Sequence, residues 1–410
     1  MIVKQYIKEF EKLGFGMFVH FGVYSMFESG EWVKDIHRIP DEEYFAMAKK
    51  FNPDKCWAKE LVSTAKKAGC KYITLTTRHH DGFSLYDTCG LNEYDTLHTC
   101  GRDLVREFVD ECNAQGIIPF FYHTLLDWWH PDYNKDFKKY LVYLRASIEI
   151  LCKNYGKIGG LWFDGMWNKK GEDWEEDALY GTIRKYQPEA MIINNTGLSD
   201  LGALGHIELD SVTFERGKPG PINMEGAPKY VASEMCQIMN EHWGYAANDF
   251  RYKSLESLIW DFCICRRYGS NFLLNVGPMG NGLLRLIDRA QLEEIGKWAK
   301  INEEALYLAR PCGISETSKP QDFVLERDGN YYLFCHQLPM MASIDVQLNE
   351  SANFVDTFPF EKEIESITWL DDPETQVAFK KNEDGTVTVQ SVAYRYGRHL
   401  VVRVAKIVTK

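Results

Sequence analysis

The sequence lacks the features that place a protein in a membrane or outside the cell. It contains no run of ~18 apolar residues, so we expect no membrane span. Its first residues, MIVKQYIKEFEKLGFGMFVHFG, have neither the apolar core nor the small-residue cleavage site of a signal peptide. Its 11 cysteines are scattered and form no CxxC pair, which is typical of reduced thiols. We therefore expect a cytoplasmic protein.

The sequence also lacks an excess of positive charge and a glycine-rich phosphate loop. Its formal net charge is −12, which argues against nucleic acid or an anionic membrane as a partner and favours a neutral small substrate. No GxGxxG motif follows the first predicted strand, and this disfavours dinucleotide binding. With 45% hydrophobic and 26% charged residues, the composition is that of a folded globular protein.

Short apolar runs alternate with longer amphipathic stretches along the first three quarters of the chain. Helical patterns lie at 54–68, 104–114, 137–155 and 255–268. Strands are predicted at 15–19, 71–76, 117–122, 160–163, 191–193, 212–214, 234–238 and 272–276. Eight strands separated by helices or long loops predict a (β/α)8-like barrel, although a doubly wound sheet uses the same alternation.

The pattern changes near Arg310-Pro311. A chain of 410 residues exceeds the roughly 250–300 at which a single core stops growing, so two domains are expected. After residue 310 come the hairpin signals Asp328-Gly329 and Asp384-Gly385, with alternating apolar residues in 386–390 and 400–404. We predict a barrel domain at 1–310 followed by a small antiparallel β-sandwich at 311–410.

Polar residues follow most of the predicted barrel strands. In barrels of this kind, functional side chains cluster at the C-terminal ends of the strands. The polar residues at these ends are His20 with Glu31-Trp32 in the next loop, His79-His80-Asp81, His123, Asp164, Asn194-Asn195 and Glu215. A lone histidine is more often a core residue than a ligand, but polar residues at nearly every strand end are hard to produce by chance.

Asp164 lies in the apolar stretch LWFDGMW, residues 161–167. Burying an unpaired carboxylate costs several kcal/mol. A structural role would make Asp164 a helix cap or the partner of an arginine. Because side chains alternate along a strand, Trp162 and Asp164 share one face. If that face is the barrel interior, the carboxylate opens onto the site.

Two other chemistries are weaker alternatives. Histidine and carboxylate suit zinc, but metal-binding barrels usually offer two histidines on one strand face as HxH. His79 and His80 are adjacent, so they point apart unless the strand has already ended. No cysteine falls at a predicted strand end beside an activating histidine, which disfavours a thiol nucleophile. A carboxylate pair among Trp, His and Asn remains, and that set suits cleavage of a glycosidic bond.

Residues 10–310 resemble glycoside hydrolase family 29, the α-L-fucosidases. HHDGF, WFDG and LLNVGP, in this order, are the most specific matches. The motifs that carry the resemblance are FGMFVHFGVYS (15–25), EW (31–32), YITLTTRHHDGFSLYDT (72–88), DLVREFVDECNAQGI (103–117), LLDWWHPDY (125–133), LWFDG (161–165), SEMC with HWGY (233–245) and SNFLLNVGP (270–278).

The resemblance implies exo-acting, retaining hydrolysis of terminal α-L-fucose from an oligosaccharide or glycoconjugate, without a metal or organic cofactor. The nucleophile of the WFDG motif is Asp164 here. Trp162 lines the pocket and Trp243 matches the aromatic residue that faces the C6 methyl group. The residues that match positions holding fucose hydroxyls are His20, Glu31, Trp32, His79 and His80.

The acid/base residue is poorly marked in this family. A segment of the form D-x-x-T-x-E is common and here ends at Glu215, which we predict to be the acid/base, the alternative being a surface glutamate beside Arg216. Glu234, in SEMC, is the second choice, and Glu225 and Glu208 follow.

Two departures from the family pattern lie near the predicted sugar site. His123 replaces a pocket tyrosine in YHT, where many members read YYS, and we predict that it contacts substrate. Asn195-Thr196 stands where many read an Asp-Arg pair. These changes suggest tolerance for a related sugar or weak activity, and they keep a non-hydrolytic sugar-binding protein as the rival hypothesis. The fucosyl linkage and the oligomeric state, including a homo-oligomer, are left open by the sequence.

Overall fold

The computed structural model describes residues 1–196, 198, 200–340, 354–391 and 393–410. The chain forms two compact units, one of residues 1–253 with 271–293, the other of residues 254–270 with 294–410. The sequence-based boundary at 310/311 stays a prediction. Within the described residues, no helix has the length and apolar character needed to cross a membrane.

Eight parallel strands close into a barrel in chain order. The strands are β1 Phe15–Val19, β2 Tyr72–Arg78, β3 Ile118–Thr124, β4 Gly160–Asp164, β5 Met191–Asn194, β6 Ser211–Thr213, β7 Ala232–Ile238 and β8 Asn271–Val276. β1 closes the ring against β8, with Phe15 opposite Phe272 and Val19 opposite Val276. The predicted barrel is confirmed, and each of the eight predicted strands overlaps one observed strand.

Helices connect many of the strands. They are α1 Gln5–Leu13, α2 Val33–Ile36, α3 Asp41–Ala48, α4 Trp57–Ala68, α5 Thr96–Cys100, α6 Leu104–Gln115, α7 Asp132–Lys135, α8 Phe137–Asn154, α9 Glu176–Tyr186, α10 Leu255–Arg267, α11 Leu286–Ile301 and α12 Glu303–Leu306. Local sequence explains their ends. Asp103 caps α6 by accepting the backbone N–H of Arg106, and Gly116 ends the helix at a φ of 74°.

The barrel interior is filled by side chains that alternate along the strands. Phe18, Tyr72, Tyr122 and Trp162 belong to one buried cluster inside the ring. Six of the eight strands are buried along their whole length, as parallel strands covered on both faces should be. The C-terminal ends of the strands meet at one rim, which gathers the polar residues that follow them.

The C-terminal unit contains antiparallel β-sheets, as predicted. A six-stranded sheet runs β14-β13-β17-β11-β10-β9 and a three-stranded sheet runs β12-β16-β15. Their strands are β9 Arg310–Pro311, β10 Phe323–Arg327, β11 Asn330–His336, β12 Phe354–Pro359, β13 Ile364–Trp369, β14 Asp372–Gln376, β15 Ala378–Lys381, β16 Thr386–Ser391 and β17 Val402–Thr409. Asp328-Gly329 joins β10 to β11 with positive φ at both residues, the geometry of a tight hairpin turn.

Candidate active site

A cavity of about 200 Å³ opens at the C-terminal rim of the barrel. Its floor is buried, since Trp162 and His80 are at most 2% exposed, whereas Leu198 is 42% exposed and marks the mouth. The predicted site residues that line the cavity are His20, Glu31, Trp32, His79, His80, Trp162, Asp164, Glu215 and Trp243. The structure therefore brings most of the predicted set together.

Asp164 is the last residue of β4 and shares the interior face of this strand with Trp162. Gly165 follows with a φ of 99°, and a Cβ atom at that position would lie 2.7 Å from the backbone nitrogen of Leu126. Only glycine suits this turn. The turn directs the chain away just after the carboxylate, which keeps Asp164 at the strand end and 17% exposed to the cavity.

The Asp164 carboxylate is surrounded by donors. Oδ1 accepts hydrogen bonds from Trp167 Nε1 at 3.2 Å and Asn195 Nδ2 at 3.3 Å, and Oδ2 accepts from Tyr122 Oη at 3.2 Å. Burial alone would raise the pKa of Asp164, but His80, Trp167 and Asn195 together hold this pKa below its usual value. The side chain is thus an ionised carboxylate facing the cavity.

Glu215 lies two residues beyond β6 and faces the same cavity. Asn195 Nδ2 donates to Glu215 Oε2 at 2.5 Å, so one nitrogen contacts both carboxyl groups. Burial, and then the negative charge of Asp164, raise the pKa of Glu215 to about 7. The two carboxyl groups therefore have pKa values shifted in opposite directions, which separates an acid from a base.

His20 presents a fixed tautomer to the cavity. Asn275 Nδ2 donates to the carbonyl oxygen of Trp243 at 2.7 Å, which turns Asn275 Oδ1 toward His20 Nδ1, also 2.7 Å away. Nδ1 must then carry the hydrogen. Burial lowers the pKa of His20 to about 3, so the ring is neutral and its Nε2 is an acceptor.

A threonine fixes His80 in a similar way. Thr124 Oγ1 donates its one hydrogen to the carbonyl of Leu126, so its oxygen accepts from His80 Nδ1 at 2.7 Å. Nε2 of His80 lies 3.5 Å from Oδ2 of Asp164. His80 donates to the carboxylate when Nε2 carries a hydrogen as well, and this protonated ring is the form that lowers the pKa of Asp164.

His79 and His80 both line the cavity although they are adjacent. β2 ends at Arg78, so the strand alternation that separates neighbouring side chains no longer applies, and the two rings lie 4.2 Å apart. The exception stated for an ended strand therefore applies to this pair. In the described part of the chain, the group spaced for a metal ion lies in the C-terminal unit and comprises Asp322, Cys335 and Asp356.

Glu31 joins two loops at the cavity. Its Oε2 accepts the backbone N–H groups of Trp243 at 3.1 Å and Gly244 at 2.8 Å. This contact links the loop after β1 to the loop after β7 and places the indole of Trp243 5.2 Å from the ring of His20. Trp32, next to Glu31, stacks on Trp167 at 5.9 Å.

The prediction that His123 contacts substrate is wrong. Its ring faces away from the cavity, with Nδ1 2.7 Å from the carbonyl oxygen of Thr124 and Nε2 3.4 Å from Tyr86 Oη. Alternation along β3 explains this, because Tyr122 and Thr124 face inward and the residue between them faces outward. Tyr122 supplies the pocket tyrosine, so the sequence departure at residue 123 does not alter the cavity.

Glu234, the second choice for the acid/base, does not reach the cavity. It is 1% exposed inside the barrel and accepts hydrogen bonds from Tyr72 Oη and from Trp162 Nε1. The further candidates Glu225 and Glu208 do not line the cavity either, since Glu225 is exposed and Glu208 pairs with Arg184. Glu215 is the candidate that the structure places beside Asp164.

Sequence reasoning omitted several residues from the predicted contact set. The cavity is also lined by Phe18, Tyr122, Trp167, Asn195, Leu198 and Cys236. The alternation used for β4 would have found Phe18, two residues before His20, and Tyr122, two residues before Thr124. Leu198 lies beyond the end of β5, where strand alternation gives no such signal.

Comparisons with known proteins agree with this geometry. The α-L-fucosidase family model matches residues 2–304. Tissue α-L-fucosidase of Bos taurus is 28% identical over 339 residues, covering 74% of this chain and 69% of the bovine protein. The structure of α-L-fucosidase isoenzyme 1 from Paenibacillus thiaminolyticus superimposes with a TM-score of 0.84 at 28% identity over 99% of each chain.

A third relative was solved with a ligand. The α-L-fucosidase from Lactobacillus casei, in complex with its α-L-fucose product, has a TM-score of 0.64 at 25% identity and covers 73% of this chain and 100% of its own. The family match spans more than half of this sequence. The chain belongs to the α-L-fucosidases, glycoside hydrolase family 29.

Proposed function

We propose that the protein is an exo-acting, retaining α-L-fucosidase that removes terminal α-L-fucose from oligosaccharides or glycoconjugates. The observation that carries the proposal is the contact of Asn195 Nδ2 with both Asp164 and Glu215. Two oxygens that share one donor in this way lie at most about 6 Å apart, nearer the ~5–5.5 Å of retaining enzymes than the ~6.5–9.5 Å of inverting ones.

The opposite pKa shifts assign the roles. Asp164, ionised, attacks the anomeric carbon, so a C–O bond to the enzyme forms as the bond to the leaving oxygen breaks. Glu215, protonated near neutral pH, donates its proton to that oxygen. Glu215 then removes a proton from the water that attacks the same carbon, which releases the sugar and restores both carboxyl groups.

The cavity wall supports a 6-deoxy sugar as the substrate. His20 Nε2 is a hydrogen-bond acceptor, so a sugar hydroxyl group in the cavity donates to it. Phe18 and Trp243, whose ring centroids are 5.9 Å apart, form an apolar patch that suits a methyl group. A volume of about 200 Å³ fits one sugar ring and supports action at a chain terminus.

The relatives support the same activity. The bovine and Paenibacillus thiaminolyticus proteins are named α-L-fucosidases, and the Lactobacillus casei enzyme was solved with α-L-fucose. A non-hydrolytic sugar-binding protein would not need an ionised Asp164 beside a protonated Glu215. The hydrolytic function is therefore the one we adopt.

The test is Asp164→Gly, assayed on an aryl α-L-fucoside. Removing the nucleophile should lower kcat on the order of 10⁴-fold or more. Azide should restore turnover and give β-L-fucosyl azide, because the anion attacks from the face that Asp164 occupied. NMR of the wild-type reaction should show α-L-fucose as the first product. Turnover of Asp164→Gly near the wild-type level, or β-L-fucose as the first wild-type product, would contradict the proposal.

A further inference from the structure

Glu234 lies inside the barrel, one layer below the cavity. It is on β7, where residues 232, 234 and 236 share the interior face. Cys236 on that face lines the cavity, whereas Glu234 is 1% exposed and does not. A buried glutamate has no solvent to stabilise it, so its position depends on the groups it contacts.

The Glu234 carboxyl group uses one oxygen for each of two partners across the barrel. Oε2 accepts a hydrogen bond from Tyr72 Oη on β2, and Oε1 accepts one from Trp162 Nε1 on β4 at 3.0 Å. The three residues come from three different strands, so the contact spans the barrel interior. Neither oxygen is directed to the substrate cavity, which separates this glutamate from the chemistry assigned to Glu215.

The indole held by Glu234 forms part of the cavity floor. Trp162 lies nearly parallel to the ring of Tyr122, at 5.7 Å and 18°, and nearly perpendicular to Phe18, at 5.0 Å and 62°. Tyr122 Oη in turn donates to Oδ2 of Asp164 at 3.2 Å. A continuous set of contacts therefore runs from Glu234 through Trp162 and Tyr122 to the carboxylate of Asp164.

We propose that Glu234 is a positioning residue of the active site: it fixes the plane of the Trp162 indole, and through it the Tyr122 hydroxyl at Asp164. This role rests on the proposed fucosidase function and adds a residue that does not touch the substrate. An indole N–H buried without an acceptor would turn toward another partner. Displacing an active-site group by about 1 Å lowers the rate on the order of 10²-fold.

The experiment compares Glu234→Ala and Glu234→Gln in the wild-type and Trp162→Phe backgrounds. Glutamine keeps an oxygen for the indole, so Glu234→Gln should retain kcat/KM within about threefold, while Glu234→Ala should lose on the order of 10²-fold. Phenylalanine has no N–H that needs an acceptor, so Glu234→Ala should cause little further loss of kcat/KM in the Trp162→Phe background. Equal losses from Glu234→Ala in both backgrounds, or no loss in either, would overturn the proposal.

A second measurement does not depend on turnover. The indole ¹⁵N–¹H resonance of Trp162, identified by its absence in Trp162→Phe, should shift in Glu234→Ala and remain near its wild-type position in Glu234→Gln. An unshifted resonance in Glu234→Ala would overturn the positioning role even if the protein had no fucosidase activity. Absence of wild-type turnover with the predicted shifts would instead overturn the proposed function alone.

Azide distinguishes positioning from acid/base catalysis. If Glu234 were the acid/base, Glu234→Ala with azide would form α-L-fucosyl azide, because azide would attack the glycosyl-enzyme in place of water. We expect no azide product from Glu234→Ala and α-L-fucosyl azide from Glu215→Ala. The reverse result would overturn the proposal.

Discussion

Two pairs of acidic side chains occupy the two units of this protein, and they are used differently. In the barrel unit, Asp164 and Glu215 share the donor Asn195 at the wall of a cavity. In the C-terminal unit, Asp322 and Asp356 are at most 1% exposed, and one oxygen of each lies within 4.8 Å of the other. Both pairs are acidic and close, but the first lines a cavity, whereas the second is buried.

Both members of the second pair have a raised pKa. Burial raises the pKa of Asp322, and a hydrogen bond with Asp356 reduces this rise. Burial, and then the hydrogen bond and the charge of Asp322, raise the pKa of Asp356 to about 7. Asp322 Oδ1 accepts the backbone N–H of His336 at 2.7 Å, and Asp356 Oδ1 accepts from Thr317 Oγ1 at 2.6 Å. Burial therefore outweighs the donors at each carboxyl group, and the hydrogen bond within the pair keeps the proton on Asp356.

The surroundings of the first pair differ between its members. Asp164 receives three donors and the contact of His80, whereas Glu215 has Asn195 and the repulsion of Asp164. One pKa falls and the other rises. Proximity of two carboxyl groups is therefore not sufficient for acid/base chemistry. The donors around one of them must outweigh its burial and lower its pKa, while the pKa of the other stays raised.

Removing the acid of the Asp164–Glu215 pair should have the largest effect. We expect Glu215→Gln to lower kcat/KM on the order of 10²–10⁴-fold for fucosides with poor leaving groups, because no proton then reaches the leaving oxygen. An aryl fucoside with an acidic phenol needs little protonation, so its first step should be much less affected. A set of aryl fucosides of graded phenol pKa measures this difference.

The pH profile provides the control for Glu215. Glu215 acts as an acid, so wild-type kcat/KM should fall about tenfold per pH unit once the pH rises above the pKa of about 7. Glutamine does not titrate, and Glu215→Gln should lack this alkaline limb. Glu234→Gln should keep it, although burial also raises the pKa of Glu234 to about 7. An alkaline limb that disappears in Glu234→Gln and persists in Glu215→Gln would contradict the assignment.

Removing the shared donor should have an intermediate effect. Asn195→Ala deletes a hydrogen bond to each carboxyl group, and one such bond to a charged group corresponds to roughly a tenfold loss of kcat/KM. Because Asn195 lowers the pKa of both groups, both limbs of the pH profile should move to higher pH.

The adjacent Asn194 is a matched control for Asn195. It lies on the other side of β5 and donates to Tyr180 Oη at 2.9 Å, so Asn194→Ala should leave both limbs in place. A profile that moves equally in Asn194→Ala and Asn195→Ala would show that the shift reflects general disturbance of β5.

The sequence predicts the barrel well because the pattern that marks each strand lies within a few consecutive residues. Each strand is a short apolar run, and alternation along β4 correctly placed Trp162 and Asp164 on one face. At β3 the polar residue type at the strand end favours His123, whereas strand alternation favours Tyr122, which lines the cavity. Residue type was a weaker guide than strand alternation.

The choice between Glu215 and Glu234 could not be made from the sequence. Both follow or lie in short strands, and burial raises the pKa of each to about 7. The two glutamates differ in their depth within the barrel. Glu215 faces the cavity and contacts Asn195, whereas Glu234 lies beneath the cavity and contacts Tyr72 and Trp162. The Asp322–Asp356 pair is likewise invisible in the sequence, because tertiary folding alone brings these residues together.

The smallest effect on activity, none, is expected for a substitution in the Asp322–Asp356 pair. In Asp356→Asn, the amide replaces a protonated carboxyl group of similar shape and should leave kcat/KM unchanged.

The effect of Asp356→Asn should be on stability. The pKa of Asp356 is raised on folding, so its stabilising contribution is complete at pH below about 4 and is lost as the pH rises toward about 7. Lys319 Nζ, 4.0 Å from Oδ2, reduces this shift without reversing it.

Lowering the pH from 7.5 to 5.5 should therefore increase the free energy of unfolding of the wild type by about 1–2 kcal/mol more than that of Asp356→Asn. Urea unfolding of both proteins at the two pH values measures this difference. Other buried acids contribute equally to the wild type and the variant, so the difference between the two proteins reports on Asp356 and its partner Asp322. Equal pH dependence in the two proteins would mean that the pair holds no proton near neutral pH, and the contrast between the two acidic pairs would then rest on cavity access alone.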